Sequence, residues 1–386
     1  MRIGILTSHP IQYHAPLFRE LAKLCDLTVY FAHRQTPEGQ AAAGFGVPFE
    51  WDIDLLSGYQ SRFLHNKASR PTPNKFFGCN TPEVKQAIAE GRFDAFVVTG
   101  WGLLSYWQAV WACRRAQVPV LIRGDSHLLT PRSRIVRLIK WLTYPLLLRS
   151  FDGFLYVGYR NREYLLHYGV SPSRLFFSPH CVDNEFFSER ADEGRVTSAR
   201  RADGRSDTAS VLFSGKLIGR KRPLDMVDAL ALIRASGSKV RGVFAGAGEL
   251  EQAIRNRAAE REVPIQMYGF KNQTELPAIY AASDVVVLPS DARETWGLVV
   301  NEAMACGVPV VVSDAVGCAP DLIEPGATGD IYPAGDVEAL SRAIQRMLHM
   351  NGSTVRSRLA EKTETYSPVR AAQGIIQAVQ TVQTPP

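Results

Sequence analysis

The chain has 386 residues, 46% hydrophobic and 21% charged, and carries 44 Lys and Arg against 38 Asp and Glu for a formal net charge of +6. That length exceeds what one hydrophobic core usually supports, so two domains are expected. Six cysteines without a Cys-x-x-Cys pair exclude a disulfide framework or zinc site and read as buried thiols of a reducing compartment. The basic residues are mostly dispersed, which argues against nucleic acid and leaves an anionic small ligand or an anionic membrane surface as partner.

The opening "MRIGILTSHP" has too short an apolar run for a signal peptide, and no stretch approaches the ~20 apolar residues that span a bilayer. The expectation is a cytoplasmic protein, at most peripheral on the inner face of the plasma membrane. In chain order, "RIGILTS", "APLFRELAKLC" and "LTVYFAH" alternate short apolar strands with helical patterns, and "FDAFVVTG", "VPVLIRGDS" and "FDGFLYVG" continue the rhythm. Near-continuous apolar strands between helices predict a parallel sheet covered on both faces.

After the first strand, "SHPIQYHAP" places His9 and His14 where a doubly wound sheet opens into its cleft. They read either as acceptor-side groups or as helix-start residues satisfied by backbone. "WDIDLL" holds an Asp-x-Asp without a buried strand before it, so surface acids are expected and no metal site. "RGDSHLL" ends a later strand with Asp125 and His127. The stretch 131–150 carries Arg132, Arg134, Arg137, Lys140 and Arg149, no acid, and an apolar set that includes Trp141. It either lies on an anionic membrane or packs its apolar side into the domain.

Residues 188–210 are polar, charged and nearly free of large apolar side chains, which predicts a linker or exposed loop. The strand rhythm restarts at "SVLFSGKL" and runs through "VRGVFAGAG", "IQMYGF", "DVVVLPS" and "VPVVVSD". Two doubly wound α/β domains around a hinge follow, with the ligand beyond the carboxyl ends of the strands.

In "FSGKLIGRKRP" a strand ends at Gly215 and delivers Lys216 and Lys221, cations suited to a pyrophosphate. "FAGAGELE" gives a second glycine-rich strand end at Gly246 and Gly248, where backbone can approach a nucleotide. "ETWGLVVNE" sets Glu294 in a loop and Glu302 in the helix after it. The amides near Trp296, Gly297 and Leu298 then face a phosphate at the helix start, with Thr295 in the same donor-binding turn; Glu302 accepts from a ribose-like diol, and Glu294 holds hydroxyls on the other side.

Taken together, these residues resemble the donor half of the family-4 retaining glycosyltransferases of the GT-B fold, of bacterial group 1 type. The Glu-x7-Glu pair is Glu294 and Glu302; the strand-glycine-lysine element is Gly215, Lys216, Leu217 and Lys221; the Gly-x-Gly element is Gly246 and Gly248. "FSPHCVDNEFF" resembles the family's hinge element, with His180 and Cys181 where Asn-Gly is common, and Lys216 stands where arginine is usual.

The resemblance implies two Rossmann-like domains facing across a cleft. An acceptor domain covers 1–180 plus 368–386, a hinge 181–210, and a donor domain 211–367. It implies transfer with retention from a UDP- or GDP-sugar to a hydroxyl of a glycan or lipid-linked acceptor, in cell-surface polysaccharide or glycolipid synthesis. No cofactor or metal is expected. Catalysis would rest on Glu294, Lys216 and Lys221, with Asp125 or His127 at the strand end where the family often has histidine. Two alternatives stay open: a glycoside hydrolase using Glu294 and Glu302, and a non-catalytic sugar-nucleotide binder. At the chain end, Pro368 is expected to interrupt a helix whose Ile375, Ile376, Val379 and Val382 pack back on the first domain.

Overall fold

The computed structural model describes residues 1–201, 208–350 and 352–383. Two parallel sheets form, because the apolar runs are too short for helices and too continuous to face water on either side. The first is seven-stranded: β1 (Arg2–Thr7), β2 (Asp26–Phe31), β3 (Gln60–Phe63), β4 (Ala95–Val98), β5 (Val120–Gly124), β6 (Gly153–Tyr156) and β7 (Leu175–Phe177), in the order β3-β2-β1-β4-β5-β6-β7. The second is six-stranded: β8 (Ala209–Ser214), β9 (Val240–Ala245), β10 (Ile265–Gly269), β11 (Val285–Leu288), β12 (Val310–Ser313) and β13 (Gly329–Tyr332), in the order β10-β9-β8-β11-β12-β13.

Both orders are doubly wound, so each sheet has a switch point, between β1 and β4 and between β8 and β11. Register follows the apolar runs: Ile5 lies between Val29 and Val97, and Val211 between Gly242 and Val285. Each sheet is covered on both faces. Ile3, Ile5, Leu17 and Ile375 pack on one side of the first sheet, and Phe96, Val110, Ile122 and Tyr164 on the other. The five cysteines at 79, 113, 181, 306 and 318 are buried, Cys25 is partly so, and all are free thiols.

Two segments between and after the sheets show how the halves are tied. Part of the predicted linker is instead a helix, Asn184–Arg201. It forms because Phe187 and Ala191 give it a narrow buried stripe, and Gly194 lets it approach Ala278 of the helix Leu276–Ala281. Residues 202–207 of that predicted linker lie outside the described ones. Pro368 begins a helix, Pro368–Gln383, after the helix Gly352–Thr365, so the interruption falls where proline best tolerates it, at a first turn. Ile375 and Val379 are buried with Leu17 and Leu21 of the first domain, while Ile376 and Val382 are partly buried there.

The helix Arg134–Leu148 turns most of its apolar side outward: of its residues, only Leu148 is buried. Among the described residues no helix is long and apolar enough to cross a membrane.

Candidate functional site

The loops after β8 and β11 meet at the switch point of the second sheet. Lys221 lies in a short turn, Gly219–Lys221, after β8, and its Nζ forms an ion pair with Oε2 of Glu294 in the loop after β11. Both side chains are nearly buried, at 10% and 13% exposure, so the pair is shielded from solvent. Ser290 Oγ donates to the same carboxylate oxygen at 3.2 Å. Lys216 stands beside this pair. Burial, with Arg220 and Lys221 as like-charged neighbours, lowers its pKa to about 8, against the pull of Glu294. A first-domain loop also borders it: a Cβ added at Gly44 would sit 3.5 Å from Lys216 Cδ.

Gly215 and Gly246 serve each other before any ligand. A Cβ at Gly246 would fall 1.9 Å from the Gly215 carbonyl oxygen, so the strand ends of β8 and β9 run backbone against backbone. Gly248 makes the same approach to the Leu217 carbonyl. The helix after Glu294 begins at Val299, later than the sequence suggests, and Leu298 is its cap. The amides of Trp296, Gly297 and Leu298 have no hydrogen-bond partner among the described residues. Gly297 holds φ +99°, and a Cβ there would meet Leu288 at 2.6 Å, which fixes glycine at this bend. The Trp296 indole turns away from that loop into the domain junction, where Nε1 donates to Asn301 at 2.8 Å and the ring lies 5.5 Å from His180.

Glu302 is deeper than a solvent-facing carboxylate, at 1% exposure. Tyr280 Oη donates to Oε2 at 2.6 Å, and Tyr13 Oη from the first domain donates to Oε1 at 3.1 Å. Burial raises its pKa, against the pull of the bonds from Tyr280, Tyr13 and Gln273. Tyr13 and Trp51 of the first domain face Gly215, Lys216, Gly246, Phe270 and Glu302 of the second across a cavity of about 90 Å³.

From the first domain, Asp125 reaches the same loops. Thr295 Oγ1 donates to its Oδ2 at 2.7 Å, and His180 Nε2 lies 3.8 Å from that oxygen. Burial would raise the Asp125 pKa, but His180 and Thr295 outweigh it and hold the carboxyl at about 2. His127 is buried and accepts from the Leu129 amide at Nδ1, 3.1 Å, which puts the proton on Nε2. That Nε2 is buried without a hydrogen-bond partner among the described residues. Burial and then Arg160 lower its pKa, against the pull of the Glu294 backbone and of the Asp125 and Glu294 carboxylates.

His14 starts the helix Ala15–Ala22 with its ring 5.6 Å from Phe18. Its pKa is driven well down by burial, then by Arg123, His180 and His9, which puts it among the cleft groups. His9 pairs Nδ1 with Ser8 Oγ at 3.0 Å, and burial with His33 lowers it to about 4.

Sequence reasoning missed Tyr13, Tyr280, Thr295 as partner of Asp125, and the contact of His180 with both Asp125 and Trp296. His180 carried a signal, since it replaces the common hinge asparagine. The tyrosines carried none, because an aromatic at a helix start or within an apolar helix reads as core. Asp52 and Asp54 are each engaged: the Thr274 amide donates to Asp52 at 3.2 Å across the cleft, and Asp54 accepts from the amides of Leu56 and Ser57.

Residues 197–366 match the family model described as glycosyl transferases group 1. The chain is 27% identical over 298 residues to sulfoquinovosyl transferase SQD2 of Arabidopsis thaliana, covering 74% of this chain and 56% of that protein. It is 27% identical over 205 residues to a GDP-mannose-dependent monoacylated alpha-(1-6)-phosphatidylinositol monomannoside mannosyltransferase of Corynebacterium glutamicum, covering 51% of this chain and 53% of the other. The match therefore spans about half the length of these curated relatives. Anabaena HepE, solved with UDP and glucose, superposes with a TM-score of 0.70 at 17% identity, over 99% of this chain and all of that one. The fold common to them is GT-B.

Proposed function

With a glycosyl transferases group 1 domain at residues 197–366 of a GT-B fold, we propose that this chain transfers a sugar, with retention, from a nucleoside-diphosphate sugar to a hydroxyl acceptor. The observation that carries it is the Lys221–Glu294 ion pair beside Lys216 at the β8–β11 switch point. Two lysines and the partnerless amides at 296–298 supply positive charge where a diphosphate departs. No protein nucleophile is needed, because leaving-group stabilisation and alignment of the acceptor on the same face can carry the step. In this reading the lysines neutralise the diphosphate and no metal ion takes part.

The donor is a uridine or guanosine diphosphate sugar; the Corynebacterium relative is named for GDP-mannose, and HepE was solved with UDP. Glu302 takes the ribose diol, Glu294 the sugar hydroxyls, and Asp125 with His127 the acceptor side. The acceptor is a glycan or lipid-linked hydroxyl at the cytoplasmic face of a membrane, consistent with a relative named for a phosphatidylinositol mannoside. A glycosidase reading is disfavoured, since that reaction has no use for the lysines, and here Lys221 engages Glu294 with Lys216 beside it.

A thermal-shift panel of UDP, GDP, ADP and their sugars tests the donor, followed by transfer assays with Glu294→Gln and Glu294→Ala. The right donor at a hundred times its dissociation constant adds about 2.7 kcal/mol. Both variants should bind donor more weakly and lose turnover while staying folded. Turnover within a few-fold of the parent sinks the assignment, and binding without transfer or donor hydrolysis leaves only a binder.

A further inference from the structure

One helix of the first domain wears its apolar stripe outward. In Arg134–Leu148, the side chains of Ile135, Leu138, Ile139, Leu142 and Leu146 recur at the spacing that lines up on one helix face. They are 71%, 57%, 53%, 62% and 69% exposed. The other side holds the helix to the domain. Leu148 is buried, the Tyr144 ring lies 5.0 Å from Tyr168, and Lys140 Nζ donates to Tyr164 Oη at 2.9 Å. Lys140 thus faces inward and is not part of a basic surface.

An amphipathic helix on a soluble domain turns such a stripe inward. Here the inward side is already filled, and the stripe is left over. Trp141, 61% exposed, enlarges it. Leu128 and Leu129, directly after His127, are also exposed, at 46% and 45%. A contiguous apolar surface of this kind marks an interface.

Charge selects the occupant. Arg132, Arg134, Arg137 and Arg149 are exposed, and no acid occurs from 131 to 150. A second copy docked by the same face about a two-fold axis would set arginines against arginines. An anionic bilayer satisfies both features at once, with apolar side chains at the acyl boundary and arginines on lipid phosphates.

We infer that this helix docks in the plane of an anionic membrane surface through Ile135, Leu138, Ile139, Leu142 and Leu146, with Arg134 at the edge of the stripe and Arg149 at its end on the headgroups. The inference rests on the helix and needs no glycosyl transfer, so its test is independent of that activity.

The experiment is flotation of the full chain with phosphatidylcholine vesicles, with and without about a third phosphatidylglycerol. Binding is expected to the anionic vesicles, to weaken with salt, and to fall about fivefold for each of Arg134→Gln and Arg149→Gln. Leu138→Glu with Leu142→Glu should abolish it with an unchanged melting temperature, both sites being exposed. Four outcomes overturn the inference: no binding to either vesicle, equal and salt-independent binding to both, binding that survives the double variant, or a dimer in sedimentation that the double variant dissociates. The last gives the face to a second copy.

Discussion

Tyr13 Oη donates to Oε1 of Glu302 at 3.1 Å, joining the loop after β1 to a buried carboxylate of the other domain. If Glu302 holds a ribose diol, that diol must take over an oxygen that Tyr13 now occupies. Tyr13→Phe therefore acts in opposite directions on the two states. The ligand-free protein loses a hydrogen bond to a charged group and about 1.5 kcal/mol of stability, read by urea unfolding. Nucleoside-diphosphate affinity rises about fivefold, because binding no longer breaks that bond. Weaker binding in calorimetry would instead make Tyr13 part of the ligand site.

Lys221 and Glu294 lie 73 residues apart by number and are both nearly buried in the ligand-free protein. Removing one charge leaves the other in a poorly solvated place. Lys221→Met alone should cost about 3 kcal/mol of unfolding free energy, and Glu294→Gln alone a comparable amount. The double variant should lose clearly less than the sum, since no uncompensated charge remains. Additive losses would show that the two groups do not stabilise each other and that the pair is fortuitous.

The sheets were legible because runs such as "DVVVLPS" and "VPVVVSD" are apolar at every position, which only a strand buried on both faces requires. The donor-side loops were legible for a local reason: Gly215, Lys216, Lys221, Gly297 and Glu302 each carry their chemistry within a short stretch next to a strand end. What failed was long-range. Thr295 reaches Asp125 across 170 residues, and nothing near either one announces the other. The helix 184–201 looked like linker because few of its residues are apolar, with Phe187 and Ala191 the buried pair that meets the second domain. The helix 134–148 was readable as amphipathic, but which way its stripe points depends on Tyr144, Tyr164 and Tyr168 filling the inner side.

Lys216 supplies a pH test. Burial, Arg220 and Lys221 bring its pKa down to about 8, so the folded protein releases this proton more readily than the unfolded chain. A depressed lysine costs stability while charged, and that cost is relieved as pH climbs from about 8 toward the ordinary lysine range. Binding a diphosphate has the opposite effect, because the anion restores the charged form. At pH 8, nucleoside-diphosphate binding should take up about half a proton, and affinity should fall at higher pH. Calorimetry in buffers of different ionisation enthalpy measures the uptake. Lys216→Arg should abolish it, and uptake that persists in that variant would assign the proton elsewhere.

Gly374 tests what the last helix does. It lies in Pro368–Gln383 against β7, and a Cβ added there would fall 1.8 Å from the Phe177 carbonyl oxygen. That oxygen belongs to backbone and cannot swing aside, so Gly374→Ala must lift the helix or bend the strand. Helix propensity alone would favour alanine by about 1 kcal/mol, which makes the sign of the result informative. Close packing should win, with a net loss of about 2 kcal/mol in urea unfolding. The same strain reaches the hinge, because Ser178, next to Phe177, donates through Oγ to the Ala371 carbonyl at 3.0 Å and accepts from Arg123 at 3.3 Å. Arg123 also donates to the Pro179 carbonyl at 2.8 Å, two residues from Cys181 and the crossing into the second domain. Gly374→Ala should therefore lower transfer as well as stability, even though it touches no cleft residue. As a control, Gln373→Ala, on the exposed side of the same helix, should change neither. If Gly374→Ala is as stable as the parent, the helix is held more loosely than its 1.8 Å approach requires, and its role in fixing the hinge falls with it.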